Sequence, residues 1–218
     1  MKMTIARFDP ETGEESRYET FDLPELDRAT VLQGLMYVYD NVDSTLGFSF
    51  NCRYKNCGLC GLTIDGRPHL ACLTPLVDGT VVEPLHNLPV LRDLIIDRRD
   101  LFAALRTLTA FIPEPADSNC DAVIHEPAER AVYMQCVECL VCMASCPEYQ
   151  HGDSAFAGPM VFVKLMQLHL DPRDAANRRE QARQLGVEIC LECAGCACPS
   201  NIPIRKGAIA GLLATDNR

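Results

Sequence analysis

The stretch NCRYKNCGLCGLTIDGRPHLAC, residues 51–72, decides the fold of the first part of the chain. Its cysteines are Cys52, Cys57, Cys60 and Cys72, and their spacing is C-x4-C-x2-C-x11-C. This is the plant-type [2Fe-2S] spacing, in which three thiolates lie on one tight loop and a short hairpin returns the fourth. A four-cysteine zinc site would more usually consist of two separated CxxC pairs. The stretch therefore predicts a [2Fe-2S] domain, with zinc as the alternative.

A second cysteine run, CVECLVCMASCPEY at residues 136–149, has the spacing C-x2-C-x2-C-x3-C and is followed directly by proline. Its cysteines are Cys136, Cys139, Cys142 and Cys146. Three cysteines at this spacing can bind three corners of a [4Fe-4S] cubane. In two-cluster ferredoxins the fourth cysteine binds the other cluster. The run therefore predicts a second run of the same kind.

That second run is CLECAGCACPSNIP, residues 190–203. In it, one residue instead of three separates the last two cysteines, Cys196 and Cys198. Cross-ligation then uses all eight cysteines of the two runs. The predicted ligands of one [4Fe-4S] cluster are Cys136, Cys139, Cys142 and Cys198. The predicted ligands of the other are Cys146, Cys190, Cys193 and Cys196. Because Ala197 alone separates two ligands of different clusters, Cys196 is the assignment that depends most on a sharp turn.

Thirteen cysteines in 218 residues is high usage, and twelve of them fall into these three groups. Grouped CxxC spacing indicates metal in a reducing compartment, whereas a disulfide framework would be more scattered. The remaining Cys120 is interpreted as a free thiol without function. A net charge of −10 argues against binding of nucleic acid or of an anionic membrane surface.

The N-terminus lacks the pattern of an export or transit signal. The apolar stretch 159–170 is interrupted by Lys164 and is shorter than the roughly 20 residues that span a bilayer. We therefore expect a cytoplasmic protein, peripheral at the cytoplasmic face of the membrane only if a partner places it there.

The first hundred residues mix strand and helix patterns. Residues 3–8 and 16–23 predict a hairpin, and 29–40 carry apolar residues close to a helical face. Strands are also expected at 61–65 and 79–85. The helix patterns that follow Leu101 cover residues 101–112, 128–135, 159–170 and 173–185. The prediction is an α+β protein with a [2Fe-2S] domain at 1–105 and a helical two-cluster domain at 106–218.

All three cysteine groups, in this order and at these separations, resemble the iron-sulfur subunit of succinate dehydrogenase and fumarate reductase. The likeness covers essentially the whole chain, including residues 50–72, the stretch LPVLRDLIIDRRDLF at 88–102 and CPEY at 146–149. The resemblance implies an N-terminal β-grasp [2Fe-2S] ferredoxin domain that docks on an FAD-containing flavoprotein subunit. It also implies an all-α domain that passes electrons through a [4Fe-4S] and usually a [3Fe-4S] cluster to a quinone at a membrane-anchor subunit.

Three departures from the family pattern concern the third cluster and the quinone site. Cys193 stands where quinone-linked members have a non-cysteine residue, so a second [4Fe-4S] cluster of lower potential is predicted, with [3Fe-4S] as the alternative. The family's tryptophan after the first Cys-Pro falls near His151, and its histidine after the first cysteine of the third group falls on Leu191. His151 is better interpreted as a surface residue than as a proton donor to a quinone. These departures argue against an ordinary ubiquinone site.

The sequence has neither a nucleotide-binding glycine fingerprint nor a cluster of candidate catalytic side chains. The expected chemistry is electron relay. Three hypotheses remain open: a relay from a flavoprotein to a quinone, the same relay to a thiol/disulfide, ferredoxin or flavoenzyme partner, and a free-standing ferredoxin. The direction of the reaction, the dicarboxylate and the oligomeric state are not encoded in these patterns.

Overall fold

The structure is a computed structural model that describes residues 1–12, 17–25, 27–112, 123–193 and 195–214, without the side chains of residues 100, 104 and 107. The chain forms two compact units. The first contains Met1–Asp97 together with Val137–Ser145, and the second contains Arg98–Cys136 and Cys146–Arg218. The nine residues Val137–Ser145 thus belong to the first unit, although they begin forty positions after Asp97 in the sequence. The sequence-derived domains, 1–105 and 106–218, stay a prediction.

The first unit is built on a five-stranded sheet and a smaller ribbon. The sheet strands are β1 (Lys2–Arg7), β2 (Arg17–Asp22), β3 (Gly61–Ile64), β4 (Arg67–Leu70) and β5 (Thr80–Glu83). The ribbon consists of β6 (Val90–Arg92) and β7 (Ile95–Ile96). The sheet order is β2-β1-β5-β3-β4, in which only the β1–β5 pair is parallel. The β1–β2 hairpin predicted from the sequence is confirmed by this pairing.

Helix α1 (Val31–Asn41) covers the apolar face of this sheet. It begins with a capping box, because the Thr30 hydroxyl accepts from the Gln33 amide and the Gln33 side chain accepts from the Thr30 amide. Val31, Leu35 and Val38 have no exposed surface. A fully buried side chain of this size contributes about 1.5–3 kcal/mol, so α1 and the sheet together form the core of the unit.

A buried arginine ties the strands of the first unit to the loops that follow α1. The Arg7 guanidinium contacts Asp43 at 2.6 Å, Glu19 at 2.8 Å and Asp93 at 3.1 Å. Asp93 also accepts from the backbone amides of Phe8 and Gly47. Hydrogen bonds from Thr45 and from Arg7 lower the pKa of Asp43 to about 2. The network fixes the chain as it enters the first cysteine loop.

The second unit consists of short helices joined by extended loops. The α-helices that follow α1 are α2 (Arg99–Thr107), α3 (Arg130–Tyr133), α4 (Val141–Ala144), α5 (Pro159–His169), α6 (Arg178–Gln184) and α7 (Ala210–Leu213). Of these, α4 belongs to the first unit and the others belong to the second. A 3-10 helix covers Val187–Glu192 and a π-helix covers Ile204–Ile209. The helical pattern predicted at 128–135 shortens to the single turn of α3. Because loops make up much of this unit, its all-α description stays a prediction.

Two buried arginines hold the second unit together. Arg130 donates to Asp171 at 2.7 Å, and Arg178 donates to Asp174 at 2.7 Å. Arg178 also donates to the carbonyl oxygens of Thr109 and Phe111, so it pins the chain after α2 to α6. Among the described residues, none of the helices combines the length and the hydropathy that crossing a membrane requires.

Candidate metal centres

The first cysteine group lies on one loop and one hairpin, as its spacing predicts. Cys60 directly precedes β3, and Cys72 follows β4 after a single residue. The two strands are antiparallel, and the Ala71 amide donates to the Cys60 carbonyl oxygen at 2.9 Å. The hairpin therefore brings Cys72, the fourth cysteine, back beside Cys60, the third.

Backbone amides of the loop point at the sulfur atoms. The amides of Asn56, Cys57 and Tyr54 approach the Cys52 sulfur at 3.1, 3.3 and 3.5 Å. The Lys55 amide donates to the Cys72 sulfur at 3.3 Å. Such donors stabilise thiolate charge, and those of Tyr54, Asn56 and Cys57 lower the pKa of Cys52 to about 7. The loop is therefore preformed to hold anionic sulfur.

Left-handed backbone conformations produce this concave arrangement of amides. Arg53 has φ 65° and Lys55 has φ 68°, separated by a residue of ordinary conformation. Alternating conformations of this kind turn successive N–H groups toward one point and create an anion-binding nest. The sequence does not show this feature, since neither arginine nor lysine favours positive φ.

Burial distinguishes Cys60 from Cys52. Burial raises the pKa of the Cys60 thiol to about 12, and the neighbouring Cys72 and Cys57 thiols act in the same direction. A thiol of this kind stays protonated at neutral pH unless a cation displaces the proton. Metal binding at this group is therefore coupled to proton release from Cys60.

Two glycines let the segment of the second cysteine run lie against this loop within the first unit. A Cβ atom on Gly58 (φ 69°) would lie 2.0 Å from the Val137 carbonyl oxygen. A Cβ atom on Gly61 would lie 2.6 Å from the Cys139 carbonyl oxygen. Only glycine allows such an approach. The two glycines thus have a packing role that the cysteine spacing alone does not reveal.

The predicted ligands of the second cluster are divided between the two units. Cys139 and Cys142 belong to the first unit, where Cys142 is buried within α4. Cys136 and Cys198 belong to the second unit and are half-buried. The assignment of these four cysteines to one [4Fe-4S] cluster stays a prediction.

The four predicted ligands of the third cluster all lie in the second unit and act on one another electrostatically. They are Cys146, Cys190, Cys193 and Cys196. Burial first, and then the other three thiols of the set, raise the pKa of Cys196 to about 12. Burial and the Cys146 and Cys193 thiols raise the pKa of Cys190 to about 11. Cys196, whose assignment depended on a sharp turn, thus lies among the thiols of its predicted set.

A cavity of about 730 Å³ opens beside Cys193. Its lining consists of Pro147, Glu148, Glu188, Ile189, Leu191, Glu192, Cys193 and Gly195. Leu191 is 58% exposed there. His151 is exposed and lines a different cavity, of about 200 Å³, with Tyr149 and Phe156.

The thiols do not form a single-ion site within the part of the chain that the structure describes. Among the described residues, no three His, Cys, Asp or Glu side chains converge closely enough to hold one metal ion. A cluster does not require that convergence, because several irons and sulfides lie between its thiolates. Cys120, interpreted as a free thiol, lies outside the described residues.

Two family models match the chain. A 2Fe-2S iron-sulfur cluster binding domain matches residues 2–103, and a 4Fe-4S dicluster domain matches residues 119–203. The predicted [2Fe-2S] cluster and the predicted pair of further clusters are confirmed at this level.

Among similar proteins is the fumarate reductase iron-sulfur subunit of Mycobacterium tuberculosis, 35% identical over 92% of this chain and 86% of that protein. The chain belongs to the family of succinate dehydrogenase and fumarate reductase iron-sulfur subunits. The resemblance seen in the sequence is thereby confirmed.

Other similar proteins are longer or have been solved as part of a complex. An uncharacterized iron-sulfur protein of Methanocaldococcus jannaschii is 33% identical over 98% of this chain, which spans 43% of that protein. A fumarate reductase (CoM/CoB) subunit of Methanothermobacter marburgensis is 28% identical over 98% of this chain, which spans 44% of it. A chain of the Mycobacterium smegmatis Sdh1 complex in the apo form aligns with a TM-score of 0.82 at 25% identity, covering 97% of this chain and 92% of that one.

Proposed function

We propose that this chain is the electron-relay subunit of a succinate dehydrogenase/fumarate reductase-type complex. Single electrons pass between an FAD-containing flavoprotein partner and a further acceptor. The observation that carries this proposal is the presence of three groups of four cysteines along a chain that aligns with family members over nearly its whole length. Clusters bound at these groups supply the one-electron chemistry, and the chain supplies the thiolates, the amide donors and the charges that set their potentials.

The finer fold and the ligand sets belong to the same proposal. The mixed sheet packed on α1 supports a β-grasp ferredoxin domain, and the helices of the second unit support a helical two-cluster domain. The amide donors at Cys52 and Cys72 support the [2Fe-2S] set of Cys52, Cys57, Cys60 and Cys72. The electrostatic interaction of Cys146, Cys190 and Cys193 with the Cys196 thiol supports the third set.

The third cluster is proposed to be [4Fe-4S], because Cys193 provides a fourth thiolate. The influence of the Cys193 thiol on the pKa values of Cys190 and Cys196 supports this set. An oxidised [3Fe-4S] centre is paramagnetic, whereas an oxidised [4Fe-4S] centre is silent. EPR of the anaerobically purified, oxidised complex tests the assignment, and a stoichiometric signal would contradict it.

The surroundings of Cys193 favour an acceptor other than an ordinary quinone as a second candidate. Glu148, Glu188 and Glu192 line the adjacent cavity, where a neutral quinone ring would displace water from carboxylates. The family position of a histidine is occupied by Leu191. One relative has CoM/CoB rather than a quinone in its name. A thiol/disulfide or protein acceptor fits these features.

Purification of the native complex tests the relay proposal. A stoichiometric FAD-containing subunit is expected, together with about ten irons for each copy of this chain, since one [2Fe-2S] and two [4Fe-4S] clusters contribute two, four and four. Recovery of the chain without any flavoprotein would instead support a free-standing ferredoxin.

The acceptor is tested separately, by offering the reduced complex a series of quinone analogues and then a disulfide. Oxidation by a quinone would favour a membrane-anchor partner and a peripheral position at the membrane. Failure of every quinone, with oxidation by the disulfide, would favour the second candidate.

A further inference from the structure

Arg205 occupies an unusual helical segment beside the third cysteine set. It lies in the π-helix Ile204–Ile209, which opens with bonds from the Gly207 and Ala208 amides to the same Pro203 carbonyl oxygen. π-Helices are rare and frequently occur at functional sites, since the wider turn changes where a side chain is placed. Here the turn carries two cations, Arg205 and Lys206, of which Lys206 is exposed.

The guanidinium of Arg205 is attached to the segment that carries the first cysteine of this set. Its Nη2 atom donates to the Leu191 carbonyl oxygen at 2.8 Å, one residue after Cys190. The guanidinium charge is therefore held at the segment that carries Cys190. Leu191 also lines the cavity beside Cys193, so Arg205 lies next to the third cysteine set.

A second atom of the same side chain is buried without a partner. The Nε atom of Arg205 has no hydrogen-bond acceptor among the described residues. A buried unsatisfied donor costs about 1–3 kcal/mol, and more when it is charged. Sulfur atoms of a cluster held by the neighbouring thiolates would supply the missing acceptor.

The carboxylates around the same set act in the opposite direction. Glu148, Glu188 and Glu192 all line the cavity beside Cys193. Negative charge near a cluster disfavours the extra electron of its reduced form, and positive charge favours it. Arg205 thus opposes an acidic environment.

We propose that Arg205 is a positioning residue that raises the reduction potential of the third cluster, by holding its charge and its Nε–H group toward the cluster sulfur atoms. The inference rests on the proposed function, because it requires a cluster at this set. One electron arrives from the preceding cluster of the relay and leaves to the acceptor, and Arg205 itself is neither oxidised nor deprotonated.

Redox titration of the native complex, followed by EPR, measures this effect directly. In Arg205→Gln the third cluster should be at least tenfold harder to reduce, which is about 59 mV for a one-electron couple. Arg205→Lys keeps a charge but loses Nε–H, so a smaller decrease is expected. Glu148→Gln should shift the potential upward.

Lys206→Gln is the matched control, since it removes the same charge from the next, exposed position, and its potential should stay near that of the wild type. Equal potentials in Arg205→Gln and Lys206→Gln, with full iron and sulfide content, would overturn the inference. If Arg205→Gln loses the cluster, Arg205→Lys decides, and an unchanged potential there would overturn it too. Absence of the third cluster from the wild-type complex would overturn the proposed function together with the inference. Equal potentials in fully loaded variants would overturn the inference alone, so the two failures are distinguishable.

Discussion

Gly58 is the residue whose substitution tests the close packing of the first unit most directly. In Gly58→Ala the new Cβ would lie 2.0 Å from the Val137 carbonyl oxygen, in a backbone conformation with φ 69°. Alanine at positive φ costs more than about 1 kcal/mol, and the displaced backbone adds to that cost. We expect a lower thermal unfolding midpoint and loss of [2Fe-2S] absorbance.

Gly66→Ala is the control for Gly58→Ala, because Gly66 has φ 74° but no atom lies within 4 Å of the added Cβ. Its effect should be limited to backbone strain. Equal destabilisation by the two substitutions would show that the approach of Val137 is not the cause.

Asp171 tests the buried charges of the second unit. Hydrogen bonds from Arg173, with the nearby Arg130, lower its pKa from 3.8 to about 2. At about 1.36 kcal/mol for each pKa unit, Asp171→Asn should reduce the free energy of unfolding by roughly 2 kcal/mol at pH 7, measured by urea denaturation. Glu126→Gln, which removes an exposed partner of Arg130, should cost less than about 1 kcal/mol.

The pH dependence of the Asp171 effect has a defined sign. Because the folded-state pKa is below the unfolded one, the stabilisation is fully present above pH 3.8 and is lost as pH falls toward 2. The wild type and Asp171→Asn should therefore converge in stability between pH 4 and 2. A difference that stays constant over this range would contradict the assigned cause.

At the scale of elements, the proposed composition of the third cluster depends on the loop after the 3-10 helix Val187–Glu192. Cys193→Ser should convert a [4Fe-4S] into a [3Fe-4S] centre, because one iron loses its thiolate. The expected result is a new EPR signal in the oxidised complex and about one iron fewer for each chain. Cys190→Ser, which removes a buried ligand, should lose more iron. Because a serine oxygen can itself bind iron, Cys193→Ala decides, and an unchanged spectrum in that variant would exclude Cys193 as a ligand.

The elements that the sequence predicts correctly are those with local causes. The hairpin of β1 and β2, helix α1, and the β3–β4 hairpin between Cys60 and Cys72 all follow from periodicity or spacing. Features that depend on distant parts of the chain could not be predicted. The segment Val137–Ser145 joins the first unit through contacts with two glycines far away in sequence.

The candidate sites show the same division between local and distant causes. Cysteine spacing predicts three groups, but the amides that donate to the Cys52 sulfur depend on positive φ at Arg53 and Lys55. Arg205 could not be found from the sequence, because its relation to Leu191 spans fourteen positions and a π-helix. A cation soon after the last Cys-Pro was the one sequence signal available.

At the scale of the whole molecule, the proposed function of this chain is to transfer electrons between two partners. The covalent chemistry of the substrate takes place on the flavoprotein partner. Electrons that enter at the flavoprotein must therefore reach every cluster of the chain. A free-standing ferredoxin would take electrons from a soluble donor and would be indifferent to dicarboxylates.

EPR of the anaerobic native complex, recorded after addition of succinate and then of fumarate, tests this claim most directly. We expect the succinate/fumarate ratio to change the reduction level of the clusters whose potentials lie near that couple, and removal of FAD to abolish the change. Clusters that dithionite reduces fully but that respond to neither dicarboxylate in the FAD-loaded complex would contradict the proposed relay.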